Sequence, residues 1–255
     1  MTPVETPPDY LDRAGRPRLA YRHVAGRGPT IVFLPGYMSD MAGGKATALF
    51  DWAASEGRAC LLLDYAGCGL SEGQFVEQTL LDWRGDVLDL IDAKADGPVL
   101  IVGSSMGGWL MLLVALALAR RDGTGRVAGL VGIAAAPDFT DWGFSPEEKA
   151  IILAEGALVE ETPYSDQPYV TTRGFFQSGE ANRLLDADIT LACPVRLLHG
   201  QEDGDVPPEI SLRLAAALAS EDVQVTLVKG GDHRLSRDGD IALLIDTVAH
   251  LAAAN

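Results

Sequence analysis

Ser105 stands at the centre of Gly103-Ser104-Ser105-Met106-Gly107, between an apolar run at 98–102 and another at 109–119. A strand, a Gly-x-Ser-x-Gly turn and a helix in that order hold a serine on a sharp, strained corner with its hydroxyl exposed, which makes Ser105 the candidate nucleophile. Gly103 and Gly107 lie two residues on either side, where side chains would collide as strand and helix meet. Ser104 lacks such flanks, because Val102 and Met106 occupy the equivalent positions. A serine hydroxyl attacks only if a base removes its proton, and the chain holds four histidines. His23 falls in an N-terminal strand, His199 ends a buried strand beside Gly200, and His250 lies inside the terminal helix. His233, in Gly230-Gly231-Asp232-His233-Arg234 between the last strand and the last helix, sits on the turn-rich mount that a base requires.

The base in turn needs a carboxylate to fix its tautomer and to stabilise imidazolium. The stretch His199-Gly200-Gln201-Glu202-Asp203-Gly204-Asp205-Val206-Pro207 offers Asp203 and Asp205, and Asp138, after an earlier strand, is a third candidate. Attack on a carbonyl creates an oxyanion that preorganised amides must stabilise. The Met106 amide, at a helix start, is one donor. The Tyr37 amide, in the loop Leu34-Pro35-Gly36-Tyr37-Met38-Ser39, is the other, with Gly36 freeing the backbone.

These residues must be carried on a regular frame. Short apolar runs predict strands at 19–24, 30–34, 59–65, 98–102, 127–135, 195–199 and 223–229. Helical patterns fill 45–55, 80–93, 107–120, 146–158, 209–220 and 240–253, with a weaker one at 182–188. Alternation of helices with strands that are apolar on both faces implies a doubly wound, mostly parallel α/β sheet. The first eight residues, with three prolines, read as an irregular arm. At 137–192 the alternation stops, and a segment of this length in a regular pattern is expected to be a cap or lid. The reading is one domain, 1–255, with a small helical cap insertion at 137–192.

Composition narrows the class. Residues number 255, 47% of them hydrophobic and 22% charged, as in a soluble globular enzyme. A net charge of -16 argues against nucleic acid, whose phosphates need clustered Lys and Arg. The run at 109–119 is too short to span a bilayer. Cys60, Cys68 and Cys193 form neither a disulfide framework nor a zinc pattern, and no metal is expected. MTPVETPPDY has no signal-peptide character, so a cytoplasmic location is the expectation. Asp64-Tyr65-Ala66-Gly67-Cys68-Gly69-Leu70-Ser71 lacks the spacing of a dinucleotide loop and reads as a structural loop beside the site. Glu147, Glu148, Glu160 and Glu161 read as solvated faces.

Taken together, these stretches resemble the α/β-hydrolase superfamily over the whole chain. Within it they resemble the group of α/β-hydrolase domain-containing protein ten and its bacterial relatives. The resemblance is carried by Phe33-Leu34-Pro35-Gly36-Tyr37-Met38-Ser39-Asp40-Met41, the Asp64 loop with Ser71-Glu72-Gly73, Gly103 to Leu112, Cys193 to Gly200 and Asp232-His233-Arg234. It implies the α/β-hydrolase fold and a serine esterase or thioesterase, in a group described as acting on acyl glucuronides and palmitoylated cysteines. It places nucleophile, acid and base on Ser105, Asp203 and His233, since the acid of the fold's His-Gly-x-x-Asp-x-x-Val-Pro pattern precedes Val-Pro as Asp203 does. The order serine, acid, histidine is that of this fold. The oxyanion donors fall on Tyr37 and Met106. No cofactor is implied, and the partner is a small ester or thioester or an acylated protein. A carbon-carbon hydrolase or perhydrolase would reuse the same triad, and a ligand-binding receptor could share the fold.

Overall fold

The computed structural model describes residues 7–162 and 167–253, so most of the expected N-terminal arm lies outside the described residues. Among them, eight strands form one sheet in the order β1-β2-β4-β3-β5-β6-β9-β10. These are β1 (Asp9–Arg13), β2 (Arg16–Val24), β3 (Arg27–Leu34), β4 (Arg58–Leu63), β5 (Val99–Ser104), β6 (Val127–Ile133), β9 (Val195–Gly200) and β10 (Val223–Val228). From β4 to β10 all neighbours are parallel, while β2 runs antiparallel to β1 and β4. The helices α1 (Gly44–Ser55) and α8 (Asp238–Ala253) cover one face. On the other lie α2 (Leu80–Lys94), α3 (Met106–Asp122) and α7 (Glu209–Ala217). Along β3, Ile31 and Phe33 enter the first core and Val32 and Leu34 the second, so the strand is apolar without a break.

The expected strands and core helices are present, and the departures have physical causes. The strand β1 carries the charged sequence DYLDR and is mostly exposed, so it has no apolar signature. It is held instead by the Gly15 turn, at φ 71°, and by Arg13, whose guanidinium bonds the buried Asp86 and the neighbouring Asp89 of α2. The other Asp86 oxygen accepts the Ala66 amide at 2.8 Å, which anchors the loop after β4.

The segment 137–192 is not purely helical. It holds α4 (Phe139–Trp142), α5 (Pro146–Glu155), the antiparallel hairpin β7 (Ala157–Glu160) and β8 (Tyr169–Thr172), and α6 (Arg173–Glu180). The helix expected over 146–158 starts with a Ser145–Glu148 capping box but stops at Gly156, whose φ of 98° is left-handed. The helix α6 has a weak helical sequence, RGFFQSGE; capping by Thr172 and burial of Phe175 and Phe176 hold it. The expected helix at 182–188 does not form. The amides of Leu184 and Leu185 donate to the Asp138 carboxylate, at 2.7 to 3.0 Å, rather than to a helical ladder.

Replacing Arg13 by Ala leaves buried Asp86 with Arg16 alone. At neutral pH the loss of stability is expected to be about 2–3 kcal/mol, below that of a fully stripped buried pair, read as a lower urea midpoint. Burial already raises the Asp86 carboxyl, outweighing the Ala66 and Arg13 bonds. Without Arg13 it rises further, so the deficit shrinks as falling pH protonates it. An unchanged midpoint would show that Arg16 suffices.

Candidate active site

At the junction of β5 and α3 the backbone of Ser105 adopts φ 53° and ψ −120°, a strained region for a residue with a side chain. Its amide donates to the Ile133 carbonyl at 2.9 Å, and its carbonyl accepts the amides of Gly108 and Ala136. The corner closes because two positions carry no side chain. A Cβ on Gly107 would stand 2.2 Å from the Leu34 carbonyl oxygen, and one on Gly103 would stand 2.3 Å from that of Gly107.

The loop after β3 passes directly over this corner, with a Cβ on Gly36 reaching 3.4 Å from that of Ser105. The buried Tyr65 hydroxyl donates to the Pro35 carbonyl at 3.0 Å. Asp64 holds the Met41 and Leu70 amides, at 2.7 and 2.8 Å, so the loop at 64–71 is a clamp on the site. Tyr37 and Met106 both line the cavity beside Ser105. The Tyr37 side chain has a separate job: its hydroxyl donates to the Val170 carbonyl at 2.7 Å, tying this loop to β8. Burial pushes that phenol well above its usual range.

The structure brings Ser105, His233 and Asp203 together. His233 Nδ1 donates to Asp203 Oδ2 at 2.9 Å, which leaves Nε2 as the acceptor facing Ser105 Oγ at 3.2 Å. The two loops that carry Asp203 and His233 touch backbone to backbone. Glu202 donates to the Gly231 carbonyl, and a Cβ on Gly200 would stand 2.3 Å from that same oxygen.

The Asp203 side chain is fully buried, yet its surroundings favour the ionised form. Oδ1 accepts the amides of Asp205 and Val206, at 2.9 and 2.8 Å, and Oδ2 accepts from both His233 and His199. Burial alone would raise its pKa; the bonds from His199, His233 and Val206 outweigh burial and hold it well below the usual carboxylate range. Asp205 lies exposed beside it and contributes its amide. Asp138 is at φ 58°, with its carboxylate on the Leu184 and Leu185 amides, and is a structural anchor. Asp203, Asp205 and His233 each place a ligand atom within 4.8 Å of the others, a spacing that a metal could use. Four N–H donors already fill the Asp203 lone pairs, which disfavours that use. The participation of His199 escapes a strand-by-strand reading; its spacing to Asp203 is the signal that could have found it.

A cavity of about 530 Å³ opens over the serine. Phe139, Trp142, Phe144 and Tyr169 give it an apolar wall. Phe175 and Phe176 are buried and do not line it, so the aromatics of 137–192 divide between cavity and core. Ser39, Asp40, Lys45 and Arg234 add polar and charged groups to the cavity lining. The Lys45 ammonium donates to the Arg234 carbonyl, and burial, with the Arg234 charge, pushes its pKa down to about 8. Glu160, expected on a solvated face, also lines the cavity, and burial raises its carboxyl.

The alpha/beta hydrolase family model matches residues 31–244. The chain belongs to the alpha/beta hydrolase family. It is 41% identical over 246 residues to palmitoyl-protein thioesterase ABHD10, mitochondrial, of Homo sapiens, covering 95% of this chain and 79% of that protein. The crystal structure of a putative hydrolase from Agrobacterium vitis superposes with a TM-score of 0.90 at 36% identity, covering 98% of this chain and 99% of that one. Alpha/beta hydrolase domain-containing protein 10 from mouse superposes with a TM-score of 0.87 at 39% identity, covering 96% and 98%. The resemblance read from the motifs therefore stands, and this alpha/beta hydrolase is an enzyme with the family's mostly parallel sheet.

The cytoplasmic expectation is overturned, because the curated mammalian relatives carry a mitochondrial designation in their names. Three free cysteines report the absence of a disulfide among the described residues, not a compartment. No helix among the described residues is long and apolar enough to cross a membrane.

If Asp203 is the acid, Asp203→Asn lowers kcat by about 10⁴-fold through the wrong histidine tautomer, while Asp205→Asn stays within a few-fold. Steady-state hydrolysis of a chromogenic ester reads both. Equal losses would move the role to Asp205.

Proposed function

We propose that this enzyme is a serine esterase or thioesterase working through an acyl-enzyme. The observation that carries the reading is the continuous chain from Ser105 Oγ through His233 to the ionised Asp203, at the floor of a half-apolar cavity. Ser105 Oγ attacks the carbonyl carbon as its proton passes to His233 Nε2. The carbonyl oxygen becomes an oxyanion, for which the Tyr37 and Met106 amides are the donors. As the intermediate collapses, the bond to the leaving oxygen or sulfur breaks and His233 returns its proton to that atom. Water then attacks the acyl-serine with His233 as base, and the acid leaves with the serine restored. Every step is a proton or acyl transfer that needs no redox partner.

In this reading 137–192 is the cap, and its Phe139, Trp142, Phe144 and Tyr169 form the acyl wall. A thioester substrate draws support from the human relative's name, palmitoyl-protein thioesterase. An acylated protein and a small thioester both satisfy the chemistry.

The test is a turnover panel of oxygen esters and thioesters of increasing chain length, with wild type and Ser105→Ala. The wild type is expected to turn over thioesters and to prefer apolar acyl groups. Ser105→Ala should lose about 10⁴-fold or more in kcat. Retained activity in Ser105→Ala, or a panel no faster than background, would remove the proposal.

A further inference from the structure

His199 is fully buried, at 0% side-chain exposure, and every polar atom of its ring is engaged. Nε2 faces two acceptors, the Val206 carbonyl at 2.9 Å and Asp203 Oδ2 at 3.1 Å. Neither partner offers a proton along that direction, so Nε2 carries the hydrogen and shares it between them. Nδ1 lies 2.7 Å from Ser211 Oγ, itself buried in the first turn of α7. With Nε2 protonated, the Ser211 hydroxyl donates to Nδ1, and this fixes the His199 tautomer much as Asp203 fixes that of His233.

Two imidazoles therefore converge on one carboxylate oxygen. We infer that His199 is a positioning residue for the reaction, which holds Asp203 in place and shares its Oδ2 with His233 so that the acid grips His233 less tightly. The inference rests on the triad reading above and adds a member behind it, in the order Ser211, His199, Asp203, His233, Ser105.

Sharing has a chemical consequence. An oxygen that accepts one hydrogen bond is a weaker acceptor for the next, so His199 reduces the stabilisation that Asp203 gives to the imidazolium form of His233. Removing the His199 donor concentrates the carboxylate on His233 Nδ1–H. The base then holds its proton to higher pH, and the acid limb of kcat/KM moves upward. The same loss frees Asp203 to move, so kcat falls although no group that touches substrate has changed. Other charged groups about His233 are Asp205 from the acid loop, Asp232 and Arg234 beside it in sequence, and Lys45 from α1. All remain in place in the variants, so they set the starting point of the limb and not its displacement.

The test compares His199→Leu, His199→Gln and Ser211→Ala on a chromogenic ester from pH 4 to 9, with Ser105→Ala as the control for the triad. The Leu side chain has no donor, whereas the Gln amide can donate from the Nε2 position to both acceptors and accept from Ser211. His199→Leu is expected to lower kcat about 10- to 100-fold, the factor for one lost hydrogen bond to a charged group, with KM nearly unchanged. Its acid limb is expected about half a pH unit or more above that of the wild type. His199→Gln restores both kcat and limb to near wild-type values, and Ser211→Ala gives a smaller shift in the same direction.

A purely structural role would lower the amount of active enzyme without moving the limb, and Gln would rescue no better than Leu; that outcome overturns the inference. If His199→Leu does not fold, an acid limb in Ser211→Ala identical to that of the wild type overturns it equally. Full activity in Ser105→Ala would instead overturn the triad reading itself, so the two failures are distinguishable.

Discussion

The site depends on one close approach, where β3, β5 and the first turn of α3 meet around Ser105. Gly107 lies against the Leu34 carbonyl and Gly103 against Gly107, at separations that exclude any Cβ. This packing forces the serine into its left-handed backbone and points Oγ out of the sheet. The loop that carries Tyr37 lies over the same corner, so Ser105 and the Tyr37 and Met106 amides proposed as oxyanion donors are set by one packing event. The strain at a single residue is offset by burial of nearly the whole first half of α3.

A second constraint acts at the other end of the site. A carboxylate removed from water must be neutralised or filled with donors, and Asp203 is filled. Two of its donors are amides of its own loop, and two are imidazoles from β9 and from the loop after β10. The surroundings of the buried Asp203 side chain therefore favour its ionised form. The contact between Gly200 and Gly231 keeps the two loops in register, which explains why glycine follows His199.

Much of this was legible in the residues. The core strands are continuously apolar because both sheet faces are covered, and the elbow glycines are demanded by geometry that any sequence must obey. The candidate serine and histidine follow from chemistry and loop placement, whereas Asp203 is singled out from Asp205 and Asp138 only by the resemblance to the family's pattern. What stayed hidden depends on contacts between distant segments. Strand β1 is polar and held by Arg13 to Asp86; α6 is a poor helix held by two buried phenylalanines; the helical pattern at 182–188 loses its amides to Asp138. His199 looked like any core histidine until the fold turned its ring toward Asp203, and Glu160 looked solvated until the β7–β8 hairpin folded over the cavity. The compartment was not legible, since free cysteines are compatible with more than one.

The central claim is that Ser105 becomes covalently acylated during turnover. The most direct measurement is to mix the enzyme with a slowly deacylating ester, quench within the first turnover, and locate the added mass by peptide mass spectrometry. An acyl group is expected on the peptide containing Ser105, formed at the rate of leaving-group release and lost at the rate of steady-state turnover. Leaving-group release with no adduct at Ser105, or an adduct on another residue that turns over competently, would contradict it.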